Sequence, residues 1–246
     1  MHALWYASLA AQAVLLGRLQ FIRILPVFRV YLLIALIRSG FLLALSGSSY
    51  TAVWTATEPV LLVLQFAVAV ECLRRVRVSY PDIGPLAEIV LWVCSIAAVI
   101  ACAVSIAPDL HNADWTRPVL TATALGKRVL STILAAVLLA VLWSIHAMRS
   151  HVPRNTLVHA RTLAAFFACI ASAYALIYSR VLGRSAAGDV ILGGATVCFV
   201  VWAVALSRAG ETAPPPSRVV TEAELDASGE VFEAHVRAVE SACRPT

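Results

Sequence analysis

The chain has 246 residues, of which 61% are hydrophobic and 13% charged, with a mean hydropathy of +0.85. Soluble domains carry roughly 25% charged residues, and 11 of the 33 charges here follow position 207, so residues 1–207 are too poor in charge for a water-soluble globule and read as a membrane domain. The composition also excludes a disordered chain, a disulfide-framed secreted domain and a coiled coil, and the net charge of +5 gives no argument for nucleic acid, because its basic excess lies in the membrane part while the tail from Arg208 onward is acidic.

A helix needs about 20 apolar residues to cross a hydrocarbon core of about 30 Å. Seven stretches qualify: 2–19, 27–46, 50–71, 86–107, 124–148, 158–182 and 187–207. The expected fold is therefore an all-α, seven-helix transmembrane bundle. The first stretch is the weakest, since Arg18 and Arg23 crowd its end. It lacks the positive n-region of a signal peptide, so it is expected to remain part of the mature protein. Clear breakers bound the others: Pro26, the run Ser46 to Ser49, Pro81 and Pro85, Pro108, Pro153, and Gly183 to Gly188.

Positive residues near helix ends gather on the cytoplasmic side. The first, third and fifth connections and the tail root carry ten Arg, against five Lys or Arg in the alternate set. This places the N-terminus outside, the C-terminus in the cytoplasm and the protein in the cell (inner) membrane. Beyond the membrane domain, 208–220 is a Pro-rich linker containing Pro214, Pro215 and Pro216. Residues 221–246 read as an acidic amphipathic helix opened by the capping box Thr221 and Glu224. Leu225, Phe232, Val236 and Val239 share one stripe of it, a surface suited to the protein's own loops or to a cytoplasmic partner bound through 221–243. The expected surroundings are the lipid bilayer and such a partner.

Ionisable groups inside a spanning helix are expensive, by about 2.5–3.5 kcal/mol at the centre on insertion scales, so each needs a partner or a task. In the second and third stretches, Arg38 and Glu58 lie equally far from the turn near Ser48. At about 1.5 Å per residue both sit roughly 10–15 Å below the end of that hairpin and are expected to form a buried pair. Pro59 bends the third helix beside them, and Trp54 lies one turn above Glu58. Arg38, Glu58, Trp54 and Tyr50 are the candidate lining of a polar pocket open to the outside, with a purely structural ion pair as the alternative. Proton or ion passage is not favoured, since Val60 to Val70 offers only Gln65.

The same reckoning pairs Arg29 with Glu71 near the inner interface and Arg180 with Asp189 at the outer ends. Glu88 follows Arg74, Arg75 and Arg77 closely enough to be neutralised by them, and Lys127 and Arg128 are expected to snorkel from the fifth helix to the interface, with an anion site as the alternative. His146 and His159 flank the turn at Val152 and Pro153, with His151 in it. Paired imidazoles on neighbouring helices are the one arrangement here able to hold a haem or a metal. They lie among Arg149, Arg154 and Arg161, where polar side chains are ordinary, so no cofactor is expected. Cys94, Cys102, Cys169 and Cys198 lie in apolar runs, Cys72 and Cys243 in cytoplasmic segments, and none has metal-ligand spacing. Asp109, His111 and Asp114 on the longest outer connection read as part of a solvated loop, with metal-assisted chemistry as the alternative.

A retinal protein needs a lysine deep in the last helix, and 187–207 has none. The acidic-Arg-Tyr triplet and the Asn-Pro pair of G-protein-coupled receptors are absent, and bacterial seven-helix sensory domains share topology only. No catalytic spacing such as HExxH appears, so an enzyme is not expected. The reading favoured by topology, the buried pair and the tail is a sensory or signal-coupling membrane protein. The alternatives are a small transporter or permease-like subunit, or an accessory, haem-carrying subunit of a membrane complex.

Overall fold

The computed structural model describes residues 2–22, 24–78, 93, 96, 100, 118–147, 152–179 and 181–211. The chain divides into two units, Met1–Ala213 and Pro214–Thr246, and every element described below belongs to the first. Among the described residues there are six α-helices: α1 (His2–Ile22), α2 (Pro26–Leu43), α3 (Gly47–Val78), α4 (Pro118–Ala147), α5 (Arg154–Tyr178) and α6 (Arg184–Ala205), followed by one 3₁₀ turn, Arg208–Glu211. The stretch 86–107 lies outside the described residues except for Val93, Ile96 and Ile100, which are helical and exposed. The linker after Glu211 and the tail helix expected at 221–246 also lie outside them.

Five helices are long and apolar enough to cross a membrane: α2, α3, α4, α5 and α6. The set does not include α1, whose Ser8, Gln12, Arg18 and Gln20 dilute an otherwise apolar run. The exposed surface explains the composition. On α2, Val30, Leu33, Ile37 and Phe41 point outward while Phe28, Tyr31, Leu32, Ala35 and Leu42 are buried. On α3, Val60, Val63, Phe66 and Val70 are exposed, and the buried face holds Glu58 and Gln65. A helix apolar all round, with its few polar groups turned inward, suits a hydrocarbon solvent rather than water.

Breakers set the helix boundaries. Pro26 occupies the first turn of α2, where its missing N–H is no loss, after Leu25 takes a left-handed turn at φ 52°. Gly47 starts α3 at φ +60°, a conformation glycine adopts without penalty. Pro153 and Gly183 stand immediately before α5 and α6. The helix α3 runs seven residues past the apolar stretch that ends at 71, through Arg74, Arg75 and Arg77. Hydropathy measures the part of a helix suited to lipid, and backbone hydrogen bonding continues beyond it.

Packing closes the six helices into a ring: α1 against α2, α2 against α3, α3 against α4, α4 against α5, α5 against α6 and α6 back against α1, with α3 also touching α5. One continuous core fills it, including Leu15, Phe28, Leu32, Val68, Leu138, Phe167 and Trp202. The α5 to α6 approach is close at Gly194, where a Cβ would overlap Cys169 Sγ.

Candidate functional site

The functional candidates concentrate on the buried stripe of α3. Glu58 and Gln65, seven residues apart, project from the same face into the ring, as do Arg38 and Tyr31, seven apart on α2. The two pairs meet level by level. Arg38 Nη2 donates to Glu58 Oε2, and Gln65 Nε2 donates to Tyr31 Oη at 3.4 Å. The first contact places Arg38 and Glu58 together as the hairpin spacing implies.

Glu58 has a second partner that the spacing did not reveal. Lys127 Nζ of α4 donates to Glu58 Oε1, so one fully buried carboxylate bridges two cations on two other helices. Lys127 does not snorkel: its side chain is only 14% exposed and turns inward because the carboxylate offers a charge that the lipid face lacks. The guanidinium of Arg38 is held further, by Nε donating to Thr57 Oγ1 at 2.7 Å and by Nη2 reaching the Trp54 carbonyl at 3.4 Å. Thr57 in turn donates its hydroxyl to the Val53 carbonyl at 2.7 Å. The Trp54 ring lies 6.0 Å from both the Arg38 guanidinium carbon and Lys127 Nζ, at the limit of cation–π range. Tyr50 packs edge-on against Trp5 of α1, with centroids 6.3 Å apart. Of the four pocket residues inferred from sequence, Arg38, Glu58 and Trp54 are thus in one group with Lys127 and Thr57. Tyr50 joins α1 to α3 one turn away.

Counting formal charges, the group carries two positive and one negative. Among the described residues no second carboxylate touches either cation. One turn deeper on the Lys127 face of α4, Ser131 is fully buried and its Oγ has no hydrogen-bond partner among the described residues.

At the other end of the bundle the pairings differ from expectation. Glu71 does not pair with Arg29. Its Oε1 and Oε2 accept the backbone N–H groups of Val27 and Phe28 at 3.2 and 3.0 Å. Leu25 gives α2 no side-chain cap, so the first N–H groups lack acceptors, and a carboxylate there also meets the positive end of the helix dipole. His159 is fully buried in an aromatic layer, 4.9 Å from Phe28 and 5.7 Å from Trp202 by ring centroid. Neither of its nitrogens has a partner among the described residues. His146, in the last turn of α4, is exposed, so the two imidazoles expected to face one another occupy unlike surroundings. Among the described residues no group of three or more His, Cys, Asp or Glu side chains is placed to hold a metal. Arg180, Glu88, His151, Asp109, His111 and Asp114 lie outside the described residues.

The start of the tail is tied to the ends of four helices. Asn155 at the start of α5 donates from Nδ2 to the Ser207 carbonyl at 2.6 Å and to Glu211 Oε1 at 3.0 Å, and its Oδ1 accepts the Ser207 N–H at 3.1 Å. Arg75 of α3 pairs with Glu211 at 3.2 Å, and Arg18 of α1 donates to the Leu206 carbonyl just past α6 at 3.0 Å. Arg208 donates to the Phe21 carbonyl at 2.9 Å. Gly210 sits so close to Asn155 that a Cβ there would overlap its amide. Sequence reasoning missed this junction; the available signal was an Asn at a helix start with a glycine near a chain reversal.

Compared with protein-family models, with curated proteins and with solved structures, the chain matches none of them.

Proposed function

We propose that this protein is a seven-span protein of the cell (inner) membrane, with its N-terminus outside and its C-terminus in the cytoplasm, that takes a signal at the Arg38, Glu58 and Lys127 group and passes it to its acidic tail. The observation that carries this reading is the bridged carboxylate. Three ions in one hydrocarbon-facing bundle are costly, and a merely structural hairpin clip would need two. The third ion draws α4 into a contact that an outside event at the group can make or break, and α3 continues from that contact to Arg75.

The tail root supplies the receiving end. Arg75 on α3 holds Glu211, so a shift of α3 at Glu58 bears on the turn from which the tail departs. The seventh span is the stretch 86–107, and the orientation follows from the distribution of Arg between alternate loops. The tail, through 221–243, is the segment offered to a cytoplasmic partner.

Limited trypsin digestion of inside-out membrane vesicles tests the coupling, reading cleavage after Arg208 and Arg218. Glu58→Gln is expected to change the cleavage rate several-fold. Asn155→Ala, which opens the tail root directly, serves as the positive control. Equal rates for wild type and Glu58→Gln, with Asn155→Ala cleaved faster, would sink the coupling.

A further inference from the structure

The hairpin of α4 and α5 carries no acid of its own. From Trp115 to Gly188 the sequence has no Asp or Glu, and the connection between the two helices adds Arg149 and His151. The end of the bundle where α4 stops and α5 starts is the end where α3 stops and the tail departs, as the contacts of Glu211 with Arg75 and Asn155 show. Counting every charge the sequence can bring to that end, from the helix ends, the connection through Glu88 and the whole tail, 13 Arg face ten Asp and Glu. A positive excess therefore stands wherever the acids outside the described residues lie.

On this hairpin the cations sit on the outer surface. Arg154 and Arg161 of α5 are exposed and lie seven residues apart, on one stripe with the exposed Ala165 and Ser172. On α4, Trp143 is 68% exposed and shares a stripe with the exposed Leu139 and His146. Both helices are long and apolar enough to cross a membrane, so these stripes look onto lipid. Arg161 lies about 10 Å from the start of α5 at about 1.5 Å per residue. Its Cα–Cβ bond tilts toward the helix N-terminus, so the side chain sets out toward Arg154, and its long stem carries the guanidinium to the headgroup level. Trp143, four residues before the end of α4, falls in the zone where Trp rings settle between acyl chains and headgroups.

We infer that Trp143, Arg154 and Arg161 form a docking surface for the headgroup of an anionic phospholipid. Guanidinium groups take phosphate oxygens two at a time, and two of them converge here at one depth. A choline headgroup would bring its own cation to the pair, whereas a glycerol headgroup brings only the negative phosphodiester. The acyl chains lie against the apolar stripes of Leu139 and Ala165. The inference goes beyond the proposed function and needs only that α4 and α5 lie in a bilayer.

The test is tryptophan quenching of the purified full chain in phosphatidylcholine nanodiscs that contain a small fraction of either brominated phosphatidylglycerol or brominated phosphatidylcholine. The signal of Trp143 is the difference between wild type and Trp143→Phe. Brominated phosphatidylglycerol is expected to quench it several-fold more effectively than brominated phosphatidylcholine. Arg154→Gln with Arg161→Gln should make the two lipids equal. Arg154→Lys with Arg161→Lys, which keeps the charge, should retain part of the preference, and Arg74→Gln, an exposed Arg of α3 at the same end, should leave it unchanged. The inference is overturned if the two lipids quench Trp143 equally in wild type, if the preference survives the double Gln variant, or if Arg74→Gln removes it as fully. A preference that emerges only after trypsin removes the tail would assign the surface to the acidic tail and overturn the lipid.

Discussion

Replacing Glu58 by Gln keeps the shape of the side chain and removes its charge, leaving Arg38 and Lys127 as two neighbouring cations with no counter-ion among the described residues. Each ion contact at about 4 Å is worth about 4 kcal/mol at an effective dielectric of about 20, and both are lost together. Part of that returns through hydrogen bonds to the Gln amide, and measured losses on removing one member of a buried pair are about 3–5 kcal/mol. The same range is expected here. Lys127→Met loses one attraction but also relieves the repulsion between the cations and the cost of enclosing an ammonium, so it should destabilise by less than half as much. The neutral triple variant, Arg38→Gln with Glu58→Gln and Lys127→Met, has no buried ion left at the group and should recover most of the loss. The assay is reversible unfolding in mixed micelles with rising SDS, followed by tryptophan fluorescence. If Lys127→Met destabilises as much as Glu58→Gln, or if the triple variant is as unstable as the sum of its parts, the bridged carboxylate is the wrong description.

Three further outcomes follow from the other end of the bundle. Glu71→Gln should lower stability by about 1 kcal/mol, since the amide still offers one acceptor to the start of α2 but not the charge that favours the helix N-terminus; no change in the SDS midpoint would contradict that capping role. Asn155→Ala removes three hydrogen bonds at the tail root, each worth about 0.5–1.5 kcal/mol net, and should speed cleavage after Arg208 well beyond its effect on global unfolding; unchanged cleavage would mean that the junction does not hold the tail. His159→Phe places an apolar ring in an aromatic layer where the imidazole nitrogens lack described partners, so the SDS midpoint should hold or rise; a loss above about 2 kcal/mol would show that the imidazole is held by a partner.

The legible part of the fold was its local part. Breakers such as Pro26, Pro153 and Gly183 marked helix starts to within a few residues. Arg38 and Glu58 could be matched because consecutive antiparallel helices put residues equidistant from their turn at one depth. That rule fails for Lys127: α3 and α4 are separated in sequence by 79–117, and no midpoint relates them. A lysine one or two turns inside an apolar helix reads equally well as snorkelling when its partner helix is unknown. Glu71 was assigned to Arg29 because sequence displays side-chain charge and hides backbone donors, yet an uncapped helix start at Leu25 was the stronger demand. For His159, depth was readable and direction was not: helix phase turned it into the aromatic layer and left His146 on the surface.

Lys127 is the single lysine in the chain, which makes one experiment unusually clean. A hydrophobic carbodiimide adds to a buried carboxylate to give an O-acylisourea, and an amine in contact with it attacks the acyl carbon to form an amide, the activator leaving as its urea with the carboxylate oxygen. Treatment of the membrane-embedded protein followed by digestion and mass spectrometry should yield a peptide pair joined through Glu58 and Lys127, absent from Glu58→Gln. Ready labelling of Lys127 by a membrane-impermeant amine reagent, with no Glu58 to Lys127 amide, would contradict the bridged carboxylate on which the account stands.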